Sequence, residues 1–287
     1  MEALSKNRLA DQSELFIYCD GPKEGCSAKS LEEIQKVREI AYSRAWCKSV
    51  QVIEREQNLG LADSIIQGVT EVVATYGSAI VLEDDIVSSP GFLTYMNQAL
   101  ELYRKEEKVM HISGYMFPVK ERLPETFFYN TASCWGWGTW NRAWKNLRTD
   151  PEELLADITT YYSLSDFDLD CDAGFVDQLK KNISKEIYTW AVKWYASMYL
   201  KRGLALHPRK SLTQNIGHDS SGENCHQNPY YFIKRMPMSI SVNSIPLEES
   251  EKARKAMQRF YRRMHRRLTT PNFFDKVDYK LKKILKA

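Results

Sequence analysis

The chain alternates between short apolar runs and longer segments in which apolar residues recur every three or four positions. The first pattern is typical of buried β-strands, and the second is typical of helices with one buried face. Strands that alternate with helices in this way predict a mainly parallel sheet with helices on both faces. The predicted elements are a strand over residues 14–20, a helix over 30–46, a strand over 49–55, a helix over 61–76 and a strand over 78–84.

The pattern changes after about residue 108. The runs "KVMHISGYMF" and "ETFFYNTA" predict two more strands, and "CWGWGTWNRAW" then concentrates four of the seven Trp residues between glycines. His111 falls in the first of these runs, where we expect a strand residue with a satisfied ring. Helices are predicted over residues 151–162, 173–182 and 186–202, and basic helical segments close the chain after Pro246.

Composition indicates a globular protein. Of the 287 residues, 43% are hydrophobic and 27% are charged, which is ordinary for a globular chain. No run approaches the roughly 18 apolar residues of a membrane span, and the first residues lack the apolar core of a signal peptide. We therefore expect a cytoplasmic protein. The six Cys residues show no Cys-x-x-Cys spacing, so we interpret them as thiols and not as a zinc site.

The net charge of +3 hides an asymmetry, because the residues from Lys252 onward contain thirteen Lys or Arg and only two Asp. A basic tail thus follows an acidic body. The segments "RKAMQRFYRRMHRRL" and "YKLKKILKA" interleave aromatic and cationic residues, which suits peripheral contact with an anionic membrane surface. Nucleic acid and a merely solvated helix are the alternatives.

Three consecutive acids, Glu83, Asp84 and Asp85, follow the third predicted strand in "AIVLEDDIVSSPGFLTYM". In open α/β sheets, ligands bind beyond the carboxyl ends of the strands. Three adjoining carboxylates repel one another, and Mg²⁺ or Mn²⁺ would compensate them, because these cations prefer oxygen ligands and arrive with substrate phosphates. The alternative is a solvated loop that caps the next helix.

This stretch resembles the metal and nucleotide-sugar motif of GT-A glycosyltransferases, in particular the pattern of N-acetylglucosaminyltransferase I and its bacterial relatives. "IYCDGPKE", "REQNLGLADSIIQGV", "CWGWGTWNRAW" and "WAVKWYASMYLKRGLALHPRKSLTQNIGHDSSG" are similar to further segments of these and family 2-like transferases, in the same order. The resemblance implies a GT-A, Rossmann-like α/β fold with a mainly parallel sheet. It places a transferase domain over residues 1–245, with a donor half over about 1–115 and an acceptor half over about 116–245, before a basic helical tail over 246–287.

The resemblance also implies roles for individual residues in binding a UDP-sugar. Asp85 would ligate the metal, Asp84 would lie near the ribose, and Glu83 would lie close to the donor. Asp20 would contact the nucleotide base in a pocket shaped by Asn58 and Gly60. For Asp20, a plain turn after a strand is the alternative.

Other candidate residues lie in the second half. His218, in "NIGHDSSG", is a second candidate metal ligand, and a solvated loop histidine is the alternative. Trp135 and Trp137 offer faces against which an acceptor sugar could stack, whereas the four-residue spacing of Trp140 and Trp144 favours core packing. Glu186 is the carboxylate nearest to the expected position of the catalytic base, and an exposed acid in a helix's first turn is the alternative.

A second acidic segment is similar to part of a calcium site. "DLDCDAG" imitates the start of a calcium-binding EF-hand loop, but Ala173 occupies the position of the turn glycine and Leu179 that of the closing glutamate. We expect no calcium site there.

The sequence as a whole predicts a metal-dependent, inverting glycosyltransferase that acts on a glycan or lipid-linked acceptor in bacterial surface polysaccharide assembly. The family pattern includes an earlier strand that this sequence does not contain, so we expect either a truncated start or a loss of donor binding. Two alternatives stay open: a nucleotidyltransferase, and a truncated, non-catalytic glycan-binding relative.

Overall fold

The computed structural model describes residues 1–217 and 229–269. The five elements predicted between residues 14 and 84 are present, each within four residues of its predicted bounds. The strands are β1 (Glu14–Cys19), β2 (Ser49–Glu54), β3 (Ser78–Val81), β4 (Ile86–Ser88), β5 (Val109–Ser113), β6 (Thr126–Tyr129), β7 (Trp137–Trp140), β8 (Leu204–Pro208) and β9 (Thr213–Asn215). The helices are α1 (Glu2–Ser5), α2 (Ala28–Tyr42), α3 (Leu61–Tyr76), α4 (Phe92–Leu102), α5 (Asn141–Trp144), α6 (Pro151–Tyr161), α7 (Leu164–Phe167), α8 (Phe175–Ile183), α9 (Ala191–Leu200) and α10 (Glu251–Thr269).

The helix bounds follow from local residue chemistry. The helix α6 begins where the Asp150 side chain accepts hydrogen bonds from the first-turn N–H groups and Pro151 occupies the first helical position, both of which favour a helix start. The helix α3 ends at Gly77, whose φ of 82° is the left-handed conformation that glycine adopts at little cost. These signals at the helix ends explain why the predicted bounds of both helices agree with the structure.

The main sheet has five strands in the order β3-β7-β5-β8-β6. Within the described residues, β5 and β8 form its one parallel pair, and the other three pairs are antiparallel. The predicted Rossmann-like, mainly parallel GT-A sheet is therefore wrong. The fold is a mixed α/β arrangement, in which a second parallel pair, β1 and β2, forms a separate two-stranded sheet.

The main sheet differs from the predicted parallel sheet because β7 lies antiparallel between β3 and β5. All four of its residues are buried, and its Thr139 hydroxyl donates to the carbonyl of Met110 in β5 at 2.8 Å. The Trp140 indole N–H donates to the carbonyl of Leu100 at 3.1 Å. Part of the Trp-rich segment, including Trp137, which the sequence suggested as a sugar-binding residue, thus supplies an internal strand of the sheet.

The helix α10 packs on the edge strand β6. Its Ala253, Met257 and Phe260 are buried in one apolar cluster with Phe127 and Tyr129 of β6, so the first part of the predicted basic tail is packed against the body. None of the helices in the described residues combines the length and apolar character that a membrane span needs. Residues 270–287 of the tail lie outside the described residues.

Candidate functional site

The three consecutive acids lie in the turn that joins β3 to β4. β3 ends at Val81, and the turn closes with a hydrogen bond of 3.1 Å from the Ile86 N–H to the Glu83 carbonyl. Asp84 is exposed, whereas Glu83 and Asp85 are half-buried. The acids therefore lie at the end of a strand of the main sheet, where the sequence predicted them.

Asp85 is oriented by residues of β9, which pairs antiparallel with β4. Its Oδ2 accepts a hydrogen bond of 2.9 Å from Asn215 Nδ2, and its carbonyl accepts one of 2.9 Å from the Ile216 N–H. Gly217 donates its N–H to Asn215 Oδ1 at 2.8 Å. A Cβ added at Gly217 would lie 2.5 Å from Asp85 Oδ2, so the carboxylate keeps its place only because this residue is glycine.

Glu83 has a different environment. Burial and the neighbouring Asp85 and Asp84 carboxylates raise the pKa of Glu83 to about 7, and a hydrogen bond from the Trp190 indole partly opposes this rise. Trp190 immediately precedes α9 and stacks on Trp137 with 5.0 Å between ring centroids. The Glu83 carboxyl therefore faces a ring that the core holds in place.

The oxygen ligands of this turn suit a cation that is shared with a substrate. Within the described ranges, no group of three or more His, Cys, Asp or Glu side chains is arranged to hold a metal ion. A single carboxylate, Asp85, fits Mg²⁺ or Mn²⁺, which usually keep several waters and substrate phosphates in their coordination shell. His218, the predicted second ligand, lies outside the described residues.

Asp20, Asn58 and Gly60 are brought together in one network. Asp20 Oδ1 accepts from the N–H groups of Gly21 and Leu59, both at 2.9 Å, and Oδ2 accepts from Asn58 Nδ2 at 3.0 Å and from the Gly60 N–H at 2.9 Å. A carboxylate has about four acceptor positions, so Asp20 holds the loop before α3. The predicted contact of Asp20 with a nucleotide base finds no support in this geometry.

Glu186 is exposed and lies 3.9 Å from the amine of Lys181. Within the described residues, its contacts do not reach the three acids, so its role as catalytic base stays a prediction. Two residues later, the Tyr188 hydroxyl donates to Asp63 Oδ1 at 2.7 Å. Asp63 is in the first turn of α3. The segment from Tyr188 to Trp190 therefore connects the start of α3 with the acidic turn.

The two candidate sugar-binding tryptophans differ. Trp137 is fully buried and stacks on His111 at 5.3 Å between ring centroids, so it is a core residue and not the predicted acceptor wall. Trp135 is half-buried, and its carbonyl accepts a hydrogen bond of 2.6 Å from the Thr213 hydroxyl in β9. Trp135 thus lies beside the strand that orients Asp85. Trp140 and Trp144 are buried, as their spacing indicated.

Sequence reasoning missed the residues that support the acids. Asn215 and Gly217 orient Asp85, Trp190 faces Glu83, and the buried Lys193 follows Trp190 by one helical turn. A polar side chain within a buried strand, "TQN", was the available signal for Asn215, because buried polar groups need partners. The spacing carried no comparable signal for Lys193.

No protein-family model matches the chain, and no curated protein matches it in sequence. The resemblance to glycosyltransferases therefore remains an expectation carried by the quoted motifs.

Proposed function

We propose that this protein is a metal-dependent glycosyltransferase that moves a sugar from a nucleoside diphosphate sugar to a hydroxyl group of a glycan or lipid-linked acceptor. The observation that carries the proposal is the acidic turn after β3, in which Asn215 and Gly217 hold Asp85 in one position. A mixed sheet does not conflict with it, because chemistry follows from the site and not from the fold.

Each residue of the site would have a separate role. Asp85 would hold Mn²⁺ or Mg²⁺, which neutralises charge on the departing diphosphate when bound. The exposed Asp84 would accept hydrogen bonds from ribose hydroxyls of a UDP-sugar. The loop that Asp20 holds would shape the nucleotide pocket with Asn58 and Gly60, and Trp135 would contribute to the acceptor side.

The proposed reaction is a single displacement with inversion. The acceptor oxygen bonds to the anomeric carbon while the bond from that carbon to the diphosphate oxygen breaks, and its electron pair leaves with UDP. The acceptor's hydroxyl proton passes to a general base, for which Glu186 is the prediction from the sequence. A lipid-linked acceptor would bring the enzyme to a membrane surface, where the basic residues of the tail would assist peripheral binding.

Calorimetric titration with UDP tests the proposal. We expect UDP to bind in the presence of Mn²⁺, and we expect Asp85→Asn to weaken that binding at least tenfold, because the variant removes the negative charge beside the cation. Asp177→Asn is the matched control, since Asp177 is exposed on α8 and pairs with Lys181. Unchanged affinity in Asp85→Asn, or no UDP binding at any Mn²⁺ concentration, would overturn the proposal.

The reaction products distinguish a glycosyltransferase from the alternative, a nucleotidyltransferase. A glycosyltransferase releases UDP from a UDP-sugar, whereas a nucleotidyltransferase releases pyrophosphate from a nucleoside triphosphate and a sugar phosphate. Release of pyrophosphate without release of UDP would replace the proposal with the nucleotidyltransferase.

A further inference from the structure

Lys193 is a buried cation in the first turn of α9. Its exposed fraction is 2%, and its amine forms no ion pair with the side chains that the structure describes. The amine contacts the ring of Tyr188, whose centroid lies 4.2 Å away. Asp63 and Asp150 attract the amine from a greater distance, while burial lowers the pKa of Lys193. A buried charge without an ion pair costs folding free energy and calls for another explanation.

The amine lies where the first turns of two helices approach each other. α3 starts after Gly60 and α9 after Trp190, and in the described structure no side chain caps the first turn of either helix. The hydrogen bond from Tyr188 to Asp63 joins the two starts, and the Tyr188 ring contacts Lys193. Uncapped first turns carry unsatisfied N–H groups and a partial positive charge.

The carboxylates of Asp63 and Asp150 face Lys193, but neither forms an ion pair with its amine in the described structure. One Asp63 oxygen already accepts the Tyr188 hydroxyl, and Asp150 accepts hydrogen bonds from the first-turn N–H groups of Glu152 and Glu153 in α6. Two helix starts and a buried amine together form the setting in which proteins bind phosphate groups.

We propose that Lys193, with the first-turn N–H groups of α3 and α9, binds a phosphate-type oxyanion of a substrate. Lys193 follows Trp190 by three positions, so the two residues share a face of the helix, and Trp190 faces Glu83. The oxyanion site therefore adjoins the acidic turn. Its assignment to a substrate rests on the proposed function, and the ligand is either the donor's diphosphate or a phosphate of a lipid-linked acceptor.

The test is calorimetric titration of the whole chain with pyrophosphate in EDTA, without nucleotide or metal. Lys193→Met keeps the length of the side chain and removes its charge, and we expect it to weaken pyrophosphate binding at least tenfold. Lys193→Arg keeps the charge and should retain binding. Lys181→Met is the matched control, because Lys181 is half-exposed on α8 and pairs with Asp177. Equal affinity of Lys193→Met and the unchanged protein would overturn the proposal.

A melting experiment excludes a purely structural role. If Lys193 is kept for binding, removal of its unpaired charge leaves the melting temperature of Lys193→Met equal or higher. If Lys193 served packing alone, Lys193→Met would lower both the melting temperature and the affinity for pyrophosphate, because loss of structure would cause the loss of binding. That result would overturn the proposal.

Competition identifies the source of the oxyanion. If saturating UDP with Mn²⁺ abolishes pyrophosphate binding, Lys193 holds the donor's diphosphate; if both bind together, it holds a phosphate of the acceptor. Pyrophosphate binding that depends on Lys193 in a chain that does not bind UDP would refute the glycosyltransferase and leave the oxyanion site in place.

Discussion

Two groups of acids in this molecule are compensated in different ways. Under α10, Asp166, Asp170 and Glu249 surround Arg254, whose guanidinium lies 2.8, 3.0 and 3.4 Å from their carboxylate oxygens. The Arg254 side chain is only 15% exposed. Here the chain supplies its own countercharge, and the hydrogen bond from Arg254 lowers the pKa of Asp170.

The acids after β3 are the opposite case. Glu83 and Asp84 form no ion pair with the cations that the structure describes, and the pKa of Glu83 is raised to about 7. An acidic cluster with an internal arginine holds the fold together, whereas the carboxylates of Glu83 and Asp84, which pair with no described cation, are suited to bind a cation from outside. Adjacency of acids in the sequence does not distinguish these cases.

Removal of the internal countercharge should produce the largest effect on stability. Arg254→Ala leaves Asp166, Asp170 and Glu249 close together without a cation. Loss of one partner of a buried ion pair costs roughly 3–5 kcal/mol, and because Asp166 and Asp170 are about half exposed we expect about 2–4 kcal/mol. Urea denaturation measures this loss of unfolding free energy.

Lys255→Ala is the control for Arg254→Ala. Lys255 pairs with Glu251 on the same helix, and both side chains are exposed, so its removal should cost less than about 0.5 kcal/mol. If the two variants lose equal stability, the acids under α10 do not depend on Arg254 and the distinction between the two clusters is lost.

Two buried histidines should make the protein less stable as the pH falls. Burial lowers the pKa of His111 to about 3 and that of His207 to about 4. The unfolded chain binds these protons near pH 6.5, so stability falls as the pH drops below 6.5 and stops falling below the folded values. Each histidine should cost about 1 kcal/mol of stability between pH 6.5 and 5.5, whereas Glu83, whose folded pKa is raised to about 7, takes up a proton in the same range and offsets about 1 kcal/mol. Urea denaturation measures the net change.

The stabilising contribution of Asp170 is lost at a lower pH than that of the two histidines. Its pKa is below the ordinary value of 3.8, so its stabilising effect is present above that value and is lost only as the pH falls through the folded pKa. His207→Gln keeps a donor toward the Thr131 carbonyl and should reduce the loss above pH 5.5 by about 1 kcal/mol. An equal dependence of stability on pH in His207→Gln and in the unchanged protein would show that this buried histidine is not responsible.

The sequence predicted local elements better than their pairing. β1, α2, β2 and α3 were located because the apolar period is a property of neighbouring residues. The mixed sheet was missed because β7 pairs with β3 and β5 across long stretches of chain, and its Trp residues were interpreted as a ligand surface and a helix face. Strand order depends on contacts between distant residues, which periodicity does not contain.

For the candidate site, too, the sequence located single residues but not the partners that hold them. Asp85 and its neighbours were located because they follow an apolar strand, and Asp20 and Asn58 because they stand in turns. Their partners could not be found from spacing. Asn215 is 130 positions from Asp85, and Lys193 is conspicuous only because the fold buries it.

The support of Asp85 by β9 gives the most direct test of the acidic turn. A methyl group in Gly217→Ala would lie 2.5 Å from Asp85 Oδ2, so the carboxylate must move. We expect Mn²⁺-dependent UDP binding to weaken about tenfold, which corresponds to about 1.4 kcal/mol, with pyrophosphate binding in EDTA unchanged. Ile216→Ala, at an exposed side chain, is the control. If Gly217→Ala retains full UDP affinity, the orientation of Asp85 by Asn215 is not what prepares this turn for a cation.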